Sequence, residues 1–270
     1  MIFAGKTAWI TGASSGIGAA LAREFAQRGA RIVLSGRNEE RLRAVAAELS
    51  TDTLILPFEA TDEGAMLAAT RQATEWHAVD IFVANAGISQ RSPAIETDLA
   101  VYRRIIDVDL TAQIAASQAL LPHVIQRGSG ALVFISSVAG KVGVPMRTAY
   151  CAAKHGLIGY ADALRAELSQ SGIAVHVVCP GSVATDVSRN ALTGSGTARG
   201  KSDRAIDEGI PPAEAAIAIA DGIAAGTREI VVARGVELAM GEMRRTPDAL
   251  FDQMATMVAK GYMTRMQAEG

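Results

Sequence analysis

Thr7-Ala8-Trp9-Ile10-Thr11-Gly12-Ala13-Ser14-Ser15-Gly16-Ile17-Gly18 runs straight into the helical pattern Ala19 to Gln27, and its reading decides the fold. The first residues are mostly apolar, as a strand buried on both faces requires. Gly12 permits a tight strand-to-helix turn. Gly16 removes the Cβ that would keep backbone amides away from a pyrophosphate, and Gly18 lets the helix sit close to the sheet. The helix N-terminus presents unpaired N–H groups and a partial positive charge to an anion, with Ser14, Ser15 and Ile17 in the same cradle. No Gly-Lys-Ser/Thr follows, which argues against a Walker-type phosphate loop. The turn alone also fits a methyltransferase, so the choice falls to later motifs.

Outward from this turn, strand-like runs recur at Thr7 to Ile10, Arg31 to Leu34, Thr53 to Phe58, Asp80 to Ala84, Ala131 to Ile135, Ala174 to Cys179 and Glu229 to Val232. Helical periodicity fills the stretches between them, notably Leu99 to Ile125 and Thr148 to Gln170. Strands alternating with helices predict an α/β, doubly wound Rossmann fold with a parallel sheet of about seven strands. Residues 1–235 form the dinucleotide-binding and catalytic domain in this reading. Within it, residues 188–209 are rich in Gly, Ser, Thr and charge and predict a mobile substrate loop over the carboxyl ends of the strands. Residues 236–270 carry Met240, Met243, Met254, Met257, Met263 and Met266 on an expected pair of helices, a Met-rich helical extension packing on the body or on a second subunit.

Composition limits the function classes. The chain has 270 residues, 49% of them hydrophobic and 20% charged, enough to bury a full core. With 26 basic and 28 acidic residues the net charge is -2, and no basic footprint for nucleic acid is present. No apolar run approaches the ~20 residues of a transmembrane helix. The start Met1-Ile2-Phe3-Ala4-Gly5-Lys6 leads directly into a strand and leaves no room for a signal peptide, so a cytoplasmic location is expected. Cys151 and Cys179 lie in apolar surroundings without metal-ligand spacing, and no metal site is expected.

The end of the second strand reads Ser35-Gly36-Arg37-Asn38. A carboxylate at this place would bind a ribose 2′-hydroxyl and repel a 2′-phosphate. With a guanidinium there instead, NADP(H) is favoured over NAD(H). Farther on, Tyr150-Cys151-Ala152-Ala153-Lys154 sets Tyr150 and Lys154 one helical turn apart on one face. Ser136-Ser137 ends a buried strand, where a hydroxyl is costly without a partner and where α/β ligands bind.

Together, Thr11-Gly12, Gly16-Ile17-Gly18, Asn85-Ala86-Gly87, Ser137, Tyr150, Lys154 and Pro180-Gly181 followed by Thr185 resemble the short-chain dehydrogenase/reductase family over about residues 5 to 235. Ser136 through Leu168, with Arg147 and His155, and Ser188-Arg189-Asn190-Ala191-Leu192-Thr193 resemble its member 7 branch. The resemblance implies that Tyr150 donates a proton to a substrate carbonyl held by Ser137, while Lys154 bonds the nicotinamide ribose and lowers the tyrosine pKa. It places Glu59, Ala60, Asn85, Ala86 and Gly87 on the adenosine side and Pro180, Gly181, Val183 and Thr185 beside the nicotinamide. It also implies a homodimer or homotetramer formed through the two long helices.

The chain departs from the family pattern at Asp109, where the resemblance implies the asparagine of a proton relay, and at Glu59, where an aspartate is usual. Asp109 keeps a main-chain carbonyl for the relay but replaces an amide with a carboxyl. At an assumed ~7 Å and an effective dielectric of ~20, its charge would oppose Lys154 by about 2.4 kcal/mol, keeping Tyr150 protonated and favouring reduction. The alternative is that Asp109 only caps or kinks its helix. His155 and Arg147 read first as structural, although Arg147 also suits contact with an acidic or phosphate-bearing substrate. Val142, Val144, Met146 and the 188–209 loop are expected at the substrate end, whose small and apolar residues suggest a lipophilic ketone or alcohol. The leading function is an NADP(H)-dependent oxidoreductase acting on a small-molecule carbonyl or alcohol; a non-catalytic NADP(H)-binding scaffold or redox sensor is the alternative.

Overall fold

The computed structural model describes residues 3–262. Strands β1 (Thr7–Thr11), β2 (Arg31–Gly36), β3 (Thr53–Pro57), β4 (Ile81–Ala84), β5 (Gly130–Ile135), β6 (Ile173–Pro180) and β7 (Glu229–Val232) form one sheet in the order β3-β2-β1-β4-β5-β6-β7. Every pairing is parallel. The predicted doubly wound sheet is therefore present, and each strand agrees with its sequence expectation to within a residue or two at either end. Between β1 and β4 the strand order reverses, which opens the crevice where such sheets bind ligands.

Successive residues of β1 face opposite layers, as the strand period demands. Ala8 and Ile10 pack with Leu21 and Phe25 of α1 (Gly16–Gln27), Leu42 of α2 (Glu39–Ala47) and Ile219 of α8 (Pro212–Ala224). Trp9 packs the other way, with Met66 of α3 (Glu63–Trp76), Leu120 of α5 (Ala112–Arg127) and Leu157 of α6 (Thr148–Glu167). Burial of side chains this size stabilises the fold by roughly 1.5–3 kcal/mol each. Trp9 alone would strand an N–H in the core, but its Nε1 donates to Ser35 Oγ at 2.8 Å.

The long helical stretch from Leu99 is not one helix. It divides into α4 (Leu99–Ile106) and α5, joined by a π-helical turn at Asp107–Thr111. Such a turn inserts one residue into the ladder and is frequent at functional sites.

The 188–209 segment folds over the carboxyl ends of the strands. Leu192 N donates to Ser89 O, Leu192 O accepts from Arg91 N, and the segment ends in the short helix α7 (Arg204–Asp207). Beyond β7 lie α9 (Gly235–Met243) and α10 (Asp248–Ala259). Helix α10 is held to the body by Phe251, whose ring lies 4.2 Å from the Arg165 guanidinium and 5.7 Å from that of Arg228. Met240 and Met243 face outward, Met254 and Met257 are partly buried, and Met263 and Met266 lie outside the described residues.

Asp80, just before β4, ties the amino ends of two strands to α5. It accepts from Thr7 N at 2.9 Å and Arg127 Nη2 at 2.8 Å, with Lys6 Nζ at 3.3 Å. Burial pushes its carboxyl up, but Arg127, the Thr7 N–H and Lys6 together leave it below the usual aspartate value. A carboxyl depressed in the folded state stabilises the fold above its unfolded pKa and loses that contribution as pH falls through its folded pKa. Asp80→Asn is therefore expected to be less stable than the parent at neutral pH, with the gap closing below about pH 4. Urea denaturation over a pH series measures this; a gap that stayed constant into acid would count against the assignment.

Candidate active site

A cleft of about 990 Å³ opens at the carboxyl ends of the strands. Its floor is the turn between β1 and α1. Gly12 has φ +63°, and a Cβ there would lie 2.9 Å from Ala86 Cα and Asn85 Nδ2. Asn85 holds β4 against this turn, donating from Nδ2 to Thr11 O at 2.9 Å and Gly12 O at 3.2 Å. Thr11 Oγ1 reinforces the seam by accepting from Asn85 N and Ala86 N. Gly18 does not line the cleft; a Cβ there would stand 2.4 Å from Gly12 O, so its role is helix-to-turn packing.

Helix α1 points its N-terminus into the cleft. Its N-cap, Ser15, makes no side-chain cap bond, which leaves the first N–H groups of the helix to a ligand. Ser14, Ser15, Gly16, Ile17, Glu59, Ala60, Ala86 and Gly87 all line the same space. Across it stand Pro180, Gly181, Val183 and Thr185, with Thr185 Cγ2 only 3.1 Å from where a Gly16 Cβ would be. The absence of that Cβ keeps the cradle open.

At the β2 end of the cleft Arg37 lies 3.6 Å from Glu59, and Arg104 of α4 lies 3.6 Å from the same carboxylate. Arg41 lines this end as well. Asn38 is used locally, capping α2 by accepting from Arg41 N at 2.9 Å. Arg104 and Arg41 were not identified from the sequence. Arg104 sits more than sixty residues from the turn it faces, and only the packing of α4 over the sheet brings it there.

The opposite end holds Ser137, Tyr150 and Lys154. Ser137 Oγ donates to Pro180 O at 3.2 Å and accepts from Ala139 N at 3.1 Å. Tyr150 and Lys154 lie on the first turns of α6, with Lys154 Nζ 5.7 Å from the tyrosine ring centre. Lys154 is buried and its Nζ donates to Ile135 O at 3.0 Å. Neighbouring Ser136, from Oγ, donates to Lys154 O at 2.9 Å and fixes the helix beside the β5 end.

Asp109 lies in the π-helical turn and is completely buried. Its Oδ1 accepts from Ile88 N at 2.8 Å, while Oδ2 lies 3.2 Å from Lys154 Nζ. Burial pushes its carboxyl above the usual aspartate value, against the pull of Lys154 and the Ile88 N–H. The sequence reading had this charge acting across space on the phenol; the structure places it directly on the lysine. Its side chain bonds Ile88 N and Lys154 rather than a backbone N–H of its own helix.

Val142, Val144 and Met146 do not line the cleft. The 188–209 segment does, through Asn190, Leu192, Gly196, Ala198 and Ile206. His155 Nδ1 bonds Cys151 O at 2.8 Å within its own helix, as a structural residue would. Among the described residues no cluster of His, Cys, Asp and Glu suits a metal ion, and no helix is long and apolar enough to cross a membrane.

Comparison with known proteins agrees with this geometry. The family model for short chain dehydrogenases matches residues 6–195. A dehydrogenase/reductase SDR family member 7B of Danio rerio is 37% identical over 238 residues, covering 84% of this chain and 77% of the relative. Among solved structures, one described as an NAD(P)-dependent gluconate 5-dehydrogenase of Beutenbergia cavernae with bound NADP at low occupancy is 32% identical. Its TM-score is 0.64, over 68% of this chain and 75% of that one. Levodione reductase shares the fold with a TM-score of 0.80 over 88% of this chain and 99% of that one, at 24% identity.

The pair of Asp109 and Lys154 sets a stability expectation. Removing one member of a buried pair leaves the other charge uncompensated, at a cost of about 3–5 kcal/mol. Asp109→Leu is expected to lose that much in urea denaturation. Asp109→Asn, which keeps an oxygen for the Ile88 N–H but not the charge facing Lys154, should lose most of it. A negligible loss in Asp109→Asn would show that the carboxylate charge is irrelevant to Lys154.

Proposed function

The chain belongs to the short-chain dehydrogenase/reductase family, in its member 7-like branch, and from that membership we propose that it is an NADP(H)-preferring reductase of a lipophilic carbonyl compound, with Tyr150 as proton donor. Membership makes it an enzyme acting on an alcohol or carbonyl group. The observation that carries the finer reading is the convergence of Ser137, Tyr150 and Lys154 at one end of a cleft whose other end holds Arg37, Arg41 and Arg104.

The residues suit the nicotinamide dinucleotides that the family uses. Gly12, Ser14, Ser15, Gly16 and Ile17 would receive the pyrophosphate on the open N-terminus of α1. Ala60, Asn85 and Ala86 would flank the adenosine, and Thr185 with Gly181 and Val183 the nicotinamide. Arg37 and Arg41 would take a 2′-phosphate, while Glu59 holds Arg37 and Arg104 at that edge. When bound, the cofactor supplies the hydride for the carbonyl carbon.

The chain's own groups supply the rest. Ser137 holds the carbonyl oxygen from one side. As the carbonyl carbon is reduced, the Tyr150 O–H bond breaks and its proton goes to that oxygen, completing the alcohol. Lys154, fixed by Ile135 O, would meet the ribose and face the phenol. Asp109 offsets the ammonium charge of Lys154 at 3.2 Å, so the phenol feels less pull toward the phenolate than an unpaired lysine would give. Reduction, in which Tyr150 donates its proton to the carbonyl oxygen, is the direction we assign.

A second reading has one observation in its favour. The same ion pair takes up the charge that would activate Tyr150, as suits a protein that binds NADP(H) without turning over. Tyr150→Phe separates the two readings. We expect the variant to bind NADPH within about twofold of the parent while carbonyl reduction falls by two to four orders of magnitude, the usual worth of general acid catalysis. Turnover unchanged in Tyr150→Phe would exclude the catalytic assignment.

Cofactor preference is read by fluorescence titration with NADPH and NADH at matched ionic strength. NADPH is expected to bind more tightly. Arg37→Ala should weaken NADPH about tenfold or more, the worth of a charge-assisted hydrogen bond, and NADH much less. Tighter binding of NADH by the parent would overturn the role given to Arg37.

A further inference from the structure

Beyond the cleft's substrate end, three arginines gather on one carboxylate. Arg91 Nε lies 2.6 Å from Asp203 Oδ2, Arg199 bonds Asp203 Oδ1, and Arg147 Nη2 stands 3.7 Å from Oδ2. The three differ in how well they are satisfied. Arg91 is buried and also donates to Ser89 Oγ at 2.8 Å and Gln90 O at 2.7 Å. Arg199 has Ser188 Oγ within 3.4 Å besides its bond to Asp203. The Arg147 guanidinium makes no hydrogen bond to a described residue beyond its 3.7 Å ion pair with Asp203, and its side chain is 24% exposed. A guanidinium carries five N–H donors, so partial burial with only a 3.7 Å ion pair leaves part of its desolvation cost uncovered.

The surroundings do not relieve that cost. Burial and the Arg91 guanidinium hold the Arg147 pKa below the usual arginine value, against Tyr150, Asp203 and Cys151. The backbone before it is also strained, because Met146 has φ +63°, a conformation rare for a residue with a side chain. That turn is pinned by Ser92 N donating to Met146 O at 3.1 Å and by Ala149 N donating to Gln90 Oε1 at 2.9 Å. The fold thus holds in place a guanidinium whose donors are not all taken up by the chain.

Its place is next to the chemistry. Arg147 precedes Tyr150 by three residues at the start of α6. Leu192, which bonds the Arg91 backbone, and Ala198, which precedes Arg199, both line the cleft. The cluster therefore rims the substrate end without forming its wall.

We propose that Arg147, backed by Arg91 and Arg199, is an oxyanion-binding residue that selects carbonyl substrates bearing a carboxylate at the end remote from the reacting carbon. This rests on the reductase reading above and narrows its substrate class to amphiphilic keto acids, the apolar body lying in the cleft and the acid at its rim. The carboxylate would supply the acceptors that Asp203, already engaged by two arginines, does not.

The test is kcat/KM for a panel of aliphatic and aromatic keto acids of graded length and their methyl esters, with NADPH, in the full chain and in Arg147→Gln and Arg147→Lys. The parent is expected to prefer at least one acid over its ester by about tenfold or more, the worth of a bidentate charge-assisted contact. Arg147→Gln should collapse that ratio through KM rather than kcat, and Arg147→Lys should restore part of it. Esters reduced as well as acids, or a ratio unchanged in Arg147→Gln, would overturn the oxyanion assignment and leave the reductase reading standing. Reduction of neither acids nor esters, in protein that binds NADPH, would overturn both.

Discussion

The reversal of strand order between β1 and β4 is the constraint on which the molecule depends. Strands to one side of that line wind toward β3 and strands to the other toward β7, so the loops leaving β1 and β4 part and leave a crevice. Thr11 and Asn85 keep the crevice from splaying: one hydroxyl and one amide satisfy the backbone groups that the sheet releases at its end. Everything bound there sits on α1's open N-terminus on one side and on α6's first turns on the other. Glycine at position 12 is required twice over, by a left-handed φ and by the close approach of β4.

Charge is distributed along the crevice in a graded way. At the β2 end, exposed arginines share Glu59 at distances that let a phosphate displace the weak contacts. In the middle, Lys154 and Asp109 are buried together, where each offsets the desolvation of the other. A second buried pair, Lys141 with Glu229, lies behind the strand ends, where Glu229 and the surrounding burial push the Cys179 thiol up to about 12. That thiol is inert at neutral pH, which agrees with the reading of both cysteines as core residues.

The π-helical turn explains how a carboxyl came to sit on the lysine. An uninterrupted helix from Leu99 to Arg127 would carry one residue fewer over this arc and point position 109 elsewhere. With the extra residue, Asp109 faces both Ile88 N–H and Lys154, and the same turn carries Val108 into the cleft wall.

Much was legible in the chain because the signals were local. The glycine turn, the seven apolar runs and the Tyr150–Lys154 spacing each obey a period or a steric rule that holds within a few residues, and the sheet they predict is the one found. Other features were hidden because they join residues far apart in sequence. Nothing near Asp109 tells that its partner is Lys154, nothing near Arg104 tells that it faces Glu59, and the helical period of 99–125 conceals the inserted turn. Nor does Arg147 reveal from its neighbours that its nearest carboxylate is already taken by two other arginines. The sequence by itself determined the layers, the glycine turn and the one-turn spacing of Tyr150 and Lys154, since short-range sterics and periodicity set these. Which charges meet, and which guanidinium keeps only a 3.7 Å ion pair, was decided only by the tertiary structure, because electrostatic partners are chosen by distance in space and by exclusion of water.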